Sequence, residues 1–334
     1  MSRDRGLRRL LSRRRIDRSA LIAASMTALS LTASGCMVVH GEREVLPAAT
    51  RAEAAKALQQ FTTAYNDADK AYDSSLDADH VTGALGDIDA ARLKAGQAGS
   101  PEGNANHLPL KLSDVTYTIV EKAGWPRWFV ADAAANKGGS ARWLFVFTRG
   151  GLDEAWEVAY LTLVAPDDVP EFKKDADGYA EGVPVNSAGL AAEPADLSQE
   201  YAKYLKDGGE SAFAENSHTS GWRTERQKIA KKPGLVTQFI DEPLTDGDYA
   251  PLAVRTKDGG ALVFFTTRHY EKQTAYAGTS VPTPLDDVLA LTTGEIKQSL
   301  TMEFVSNEVA LDPKGAGKVT ILGRIQGLTS AKGE

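Results

Sequence analysis

Cysteine is almost missing from this chain: among 334 residues Cys36 stands alone. A disulfide framework is thereby excluded, and so is a cysteine nucleophile anywhere in the remainder. Histidine is scarce too. His40, His80, His107, His218 and His269 form no HExxH or HxH pattern, so no local zinc signature exists. His269-Tyr270-Glu271 offers two ligands in principle, but the end of a solvated strand accounts for it better. Gly-x-Ser-x-Gly and Ser-x-x-Lys nucleophile motifs are also absent. The glycine-rich "GAGKVTILG" (315–323) lacks the Lys-Ser/Thr pair and following helix of a phosphate loop, and it reads as a hairpin. No apolar run is long enough to span a bilayer: the uncharged stretch from Ser19 to Gly35 is short and diluted with serine and threonine. These absences remove the common routes to a named reaction, and neither a metal nor a cofactor is expected.

What is present begins with an address. Eight arginines against two aspartates fill residues 1–18, the uncharged run follows, and Ala33-Ser34-Gly35-Cys36 closes it. This is the order of an export signal. Its end resembles a bacterial lipobox, with Ala33 standing where that motif prefers leucine. The resemblance implies cleavage before Cys36 and a diacylglyceryl group on its thiol. Ser12-Arg13-Arg14-Arg15-Ile16-Asp17-Arg18 likewise resembles the twin-arginine export motif, with Asp17 at a position that prefers an apolar residue. Two or three acyl chains hold firmly at about 0.8 kcal/mol per buried CH2. The location implied is the outer face of the cytoplasmic membrane, with the lipid on Cys36 as the membrane contact.

Charge marks an acidic body. The chain carries 38 basic and 45 acidic residues; with the first 35 removed, 30 and 43 remain. Nucleic acid as a partner is therefore not expected, since it needs a basic footprint. Residues 36–49 read as a disordered tether.

Two halves then read alike. Thr50-Arg51-Ala52-Glu53 is a capping-box pattern, and Ala54, Leu58, Phe61, Tyr65, Ala68 and Tyr72 make one apolar stripe, which predicts a long helix. "GDIDAARLKA" predicts a second. Strands are expected at 114–122, 126–134, 141–149 and 154–164. A helix from Asp196, a short basic helix at "WRTERQKIA", and strands at 235–241, 249–257, 261–270, 296–311 and 318–326 repeat that order. "HVTG" (80–83) matches "HTSG" (218–221), and "GGSARWLFVFTR" (138–149) matches "GGALVFFTTR" (259–268). The expectation is α+β: two tandem modules at 50–175 and 196–334, each helices followed by a curved antiparallel sheet, with a linker at 176–195. That order is similar to nuclear-transport-factor-like and cystatin-like folds. The overall organisation resembles the exported lipoproteins of high-GC bacteria.

Trp143, Phe145 and Phe147 face one side of their strand and Leu144 and Val146 the other, so both faces are apolar. A two-layer module needs only one. The second face calls for a cover: the sister half packing through its sheet, or else a partner protein or lipid-like ligand. The acidic run at 67–79 lacks the glycine turn of a calcium loop and reads as a solvated helix face.

Three residues are candidates for binding. His80 and His218 recur just before the second helix of each half. As structural residues they bond local backbone; as functional ones they are pocket bases needing a carboxylate partner. Trp125, between Gly124 and Pro126, is the tryptophan least explained by core packing, and it suits a pocket or partner surface. The function expected is that of a lipid-anchored extracytoplasmic protein binding an unidentified protein or small molecule, with no identifiable reaction. The alternative is an enzyme with acid–base chemistry in a cone-shaped pocket.

Overall fold

The computed structural model describes residues 44–209 and 212–334. The export signal, Cys36, His40 and the first part of the expected tether lie outside the described residues.

Strand β1 (Leu46–Pro47) pairs with β2 and leads into helix α1 (Arg51–Ala71). Thr50 caps that helix in both directions. Its hydroxyl accepts from the Glu53 N–H at 3.1 Å, and its own N–H donates to Glu53 Oε2 at 2.7 Å. Ala54, Leu58, Phe61 and Ala68 form the buried stripe, and Tyr72 ends the helix in the left-handed region. Helix α2 (Gly83–Gly99) follows, then a meander of β2 (Leu112–Lys122), β3 (Arg127–Ala135), β4 (Arg142–Arg149) and β5 (Glu157–Val164). The α1 stripe meets the odd face of β4: the Phe61 ring lies 5.5 Å from Phe145 and 6.0 Å from Phe147.

The rest of the chain adds β6 (Ala180–Val183), α3 (Leu197–Asp207), α4 (Trp222–Ile229), β7 (Lys231–Lys232), β8 (Leu235–Leu244), β9 (Leu252–Arg255) and β10 (Ala261–Ala275). It ends with α5 (Asp286–Leu291), β11 (Thr292–Thr293), β12 (Ser299–Asp312) and β13 (Thr320–Gly333). The loop between β12 and β13 is the hairpin expected at "GAGKVTILG".

Three features depart from expectation. First, the strands form one large open sheet, ordered β11-β13-β12-β10-β9-β6-β2-β3-β4-β5. The join is β6, which lies in the expected linker and pairs parallel to β2 and antiparallel to β9. Its four residues, Ala-Glu-Gly-Val, contribute mainly backbone, so no side-chain pattern announced it. Second, the later strands are not a simple meander. The 15 residues of β10 carry β9 against Ala261–Phe264 and β8 against Thr266–Ala275, end to end along one edge. Third, the expected tether is docked from β1 onward, with Ala48 and Ala49 buried.

Both faces of β4 are covered. Leu144, Val146, Val158 and Tyr160 share a core with Val254, Leu262, Phe264 and Val309 from the later strands. The Tyr160 and Phe264 rings are 6.1 Å apart. Tyr160 also donates its hydroxyl to the Tyr249 and Ala250 carbonyls at 3.0 and 2.8 Å, in the loop joining β8 to β9. Asp248 of that loop accepts from the Thr82 hydroxyl at 2.8 Å. A Cβ on Gly83 would sit 2.5 Å from the Asp248 carbonyl oxygen, so this approach requires glycine there.

Candidate functional site

The β6 join creates a cavity. Where β2 ends and β6 begins, Glu121 stands opposite Glu181, and the chain ahead of β6 folds back as a hairpin, Lys174 bridging Ala180. Asp175 fixes its turn by accepting from the N–H groups of Asp177 and Tyr179 at 3.0 and 2.8 Å. Between this hairpin, the end of β2 and the chain preceding β1 lies a hollow of about 560 Å³. Val45, Ala123, Trp128, Tyr179, Val183 and Pro184 give it apolar walls, with Gly182 beside them.

The rim is polar. Lys173 pairs with Glu181 at 2.7 Å, and Arg255 reaches the same carboxylate at 3.3 Å, holding Glu181 below its ordinary range. Lys122 donates to the Pro126 carbonyl at 2.8 Å and has no carboxylate partner among the described residues. Burial, and then the nearby Arg127 charge, lower its pKa. An apolar floor under charged groups suits a small amphipathic molecule.

The expected site residues lie elsewhere. Trp125 is not a wall of this cavity. It stacks against two guanidiniums, Arg127 at 5.2 Å and Arg149 at 5.5 Å, and Arg149 also covers Trp156 at 4.7 Å. His80 serves through backbone, its N–H donating to Asp77 and its carbonyl accepting from Val158. His218 sits in a π turn before α4, where its N–H donates to Asn216 Oδ1 and its carbonyl accepts from Tyr201 Oη at 2.5 Å. Burial and the Arg324 charge lower its pKa. No carboxylate pairs with either ring among the described residues. Gly83 supplies a left-handed turn after His80, whereas Gly221 is helical.

A histidine–carboxylate pair does form, at a place the sequence did not indicate. His107 Nδ1 lies 2.7 Å from Asp69 Oδ2, and Arg92 bridges Asp69 and Asp89. Burial pulls the Asp69 pKa upward, but the hydrogen bonds from Arg92 and His107 outweigh it and hold the carboxyl low. Asp77 behaves in the opposite way: burial, then its hydrogen bond with Asp89, push it up to about 8. The acidic run at 67–79 is thus partly internal, because Arg92 and His107 draw Asp69 inward. His269 is buried and stacked on Phe304, with Glu271 3.7 Å away, rather than solvated. Among the described residues no group of three acidic, histidine or cysteine side chains is arranged to hold a metal ion.

Fold and cavity define a mixed α/β protein built on one open sheet, with an apolar-walled hollow at the strand that joins its halves. The chain belongs to the family described as a domain of unknown function, DUF8094, whose model matches residues 45–333. It is similar to an uncharacterized lipoprotein of Streptomyces coelicolor, 71% identical with all of both chains covered. An uncharacterized lipoprotein of Streptomyces avermitilis is 58% identical, again over all of both chains. A second one from Streptomyces coelicolor is 26% identical over 63% of this chain and 61% of its own. No solved structure matches. No helix among the described residues is long and apolar enough to cross a membrane.

Proposed function

We propose that this chain is an exported lipoprotein, held through a lipid on Cys36 at the outer face of the cytoplasmic membrane, that binds an amphipathic molecule in the β2–β6 cavity. The observation carrying this reading is the place of the cavity. Val45, one of its walls, follows Cys36 by nine residues, a distance of at most about 30 Å even fully extended. The lipobox-like sequence and the names of the similar proteins support the anchor. Mixed polarity at the rim and carbon at the floor support a ligand with an apolar part. We also read the two halves as repeats of one α+β unit, on the matching order of helices and strands.

Two variants test the reading. Cys36→Ala should move the protein from the membrane to the soluble fraction; unchanged retention after a high-salt wash rules out the lipid anchor. Gly182→Phe places a ring at a cavity wall where a Cβ meets only ordinary contacts, 3.6 Å from the Glu121 carbonyl oxygen. It should abolish uptake of a fluorescent fatty-acid probe while leaving the melting temperature within a few degrees. Undiminished uptake places the probe elsewhere.

A further inference from the structure

A second cleft, of about 250 Å³, opens where the end of α3, helix α4 and strand β8 meet. Lys206, Arg223 and Arg226 line it, and Asp241 is the one carboxylate among its walls. Such a concentration of cations stands out in a chain whose acidic residues outnumber its basic ones. Arg226 is 5% exposed and held in place. Its Nη1 donates to both oxygens of Asp241 at 2.8 Å, and the Trp222 and Phe239 rings cover the guanidinium at 4.9 and 4.8 Å. Its Nε and Nη2 meet no acceptor among the described residues. A buried charged donor edge without an acceptor forfeits its hydration unpaid, so an arriving acceptor is favoured. Arg223 spends Nη1 on the Tyr204 and Leu205 carbonyls, which fixes its side chain at the cleft. Lys206 is exposed and has no ion-pair partner among the described residues.

We propose that this cleft binds a small oxyanion, a phosphate or phosphomonoester group, with Lys206 and Arg223 at its mouth and Arg226 at its floor. Asp241 neutralises one of the three cations, which leaves a net positive cleft that matches a dianion. A bulkier ligand is excluded by the volume, apart from whatever projects to solvent. The proposal is independent of the β2–β6 cavity, with which this cleft shares no residue. Burial, followed by the repulsion of Arg324, lowers the Arg226 pKa, a penalty that a bound anion offsets.

The test uses the full-length lipoprotein in nonionic detergent, titrated calorimetrically with inorganic phosphate at matched ionic strength and, separately, with dihexanoyl phosphatidic acid. Both titrations are repeated with Gly182→Phe, so that uptake by the β2–β6 cavity is recognised. Saturable one-to-one binding is expected, roughly tenfold weaker in Lys206→Gln. Lys203→Gln, one turn away and outside this cleft, should bind as the parent does. Arg226→Lys, which keeps the charge but loses the fork, should bind least. Phosphate binding without a gain from the acyl chains assigns a free anion. Tighter binding of the short-chain lipid, retained with Gly182→Phe, assigns a membrane headgroup. Absence of saturable binding to either overturns the proposal, as does equal weakening by Lys206→Gln and Lys203→Gln.

Discussion

Individual buried acids set the pH response of this protein. Glu308 on β12 is fully buried; its Oε1 accepts from the Thr267 hydroxyl at 2.7 Å, and Oε2 has no partner among the described residues. Burial pushes its pKa to about 8, and Asp77 rises to about 8 for the same first reason. A carboxyl raised on folding binds its proton more tightly in the native state. Stability therefore declines as pH climbs from the ordinary carboxylate range toward 8, where the native group also ionises. Glu308→Gln keeps an acceptor for Thr267 and removes the ionisation. Its melting temperature should exceed the parent's by a few degrees at pH 8 and match it near pH 4. An undiminished slope between those values in thermal melts refutes the assignment. At this scale the sequence was least legible. His107 meets Asp69 across 38 positions, a proximity created where the loop after α2 folds back onto the end of α1, and nothing local in the chain records it. His80 and His218, by contrast, stand in matching local sequences, and both are used through their backbones.

At the scale of elements the sequence spoke plainly wherever side chains carry the signal. Helix α1 begins at the residue its capping box requires, and its apolar stripe is the stripe that is buried. Thr50→Ala removes the acceptor of the Glu53 N–H and should cost about 1 kcal/mol in denaturant unfolding, with the slope unchanged. Strands with alternating or doubly apolar faces were equally clear, β4 and β10 above all. What stayed hidden were elements defined by backbone pairing. Strand β6 is four residues inside an Asp- and Gly-rich stretch, and no local pattern tells that β8 and β9 share an edge of β10. The cavity was hidden with them. Its walls come from chain near residues 45, 122, 128 and 180, and only the β2–β6 pairing brings these together.

At the scale of the whole molecule these pairings build a single sheet and a core drawn from both halves. Phe145 and Tyr160 from the earlier strands are buried in the same cluster as Leu262 and Phe264 from the later ones. Helix α2 also packs on β13 and α5, far ahead in sequence. Calorimetry of the full chain should give one cooperative transition, seen alike by fluorescence and circular dichroism. Residues 196–334 expressed alone should show no such transition, for most of that cluster and the β6 partner of β9 would be missing. Two separated transitions would instead mean that the halves fold independently despite their common sheet.

The short β1 strand has a mechanical consequence. It is where the described chain first grips the body, through two residue pairs with β2, the Ala48 N–H to the Val120 carbonyl at 2.8 Å, and Arg127 Nη1 to the Pro47 carbonyl at 3.0 Å. Any pull arriving from the preceding residues loads that grip before it loads the core, and Val45, on the loaded side, is a wall of the cavity. Tension from that side would thus be felt by the cavity wall first, and by the fold only after β1 has peeled away.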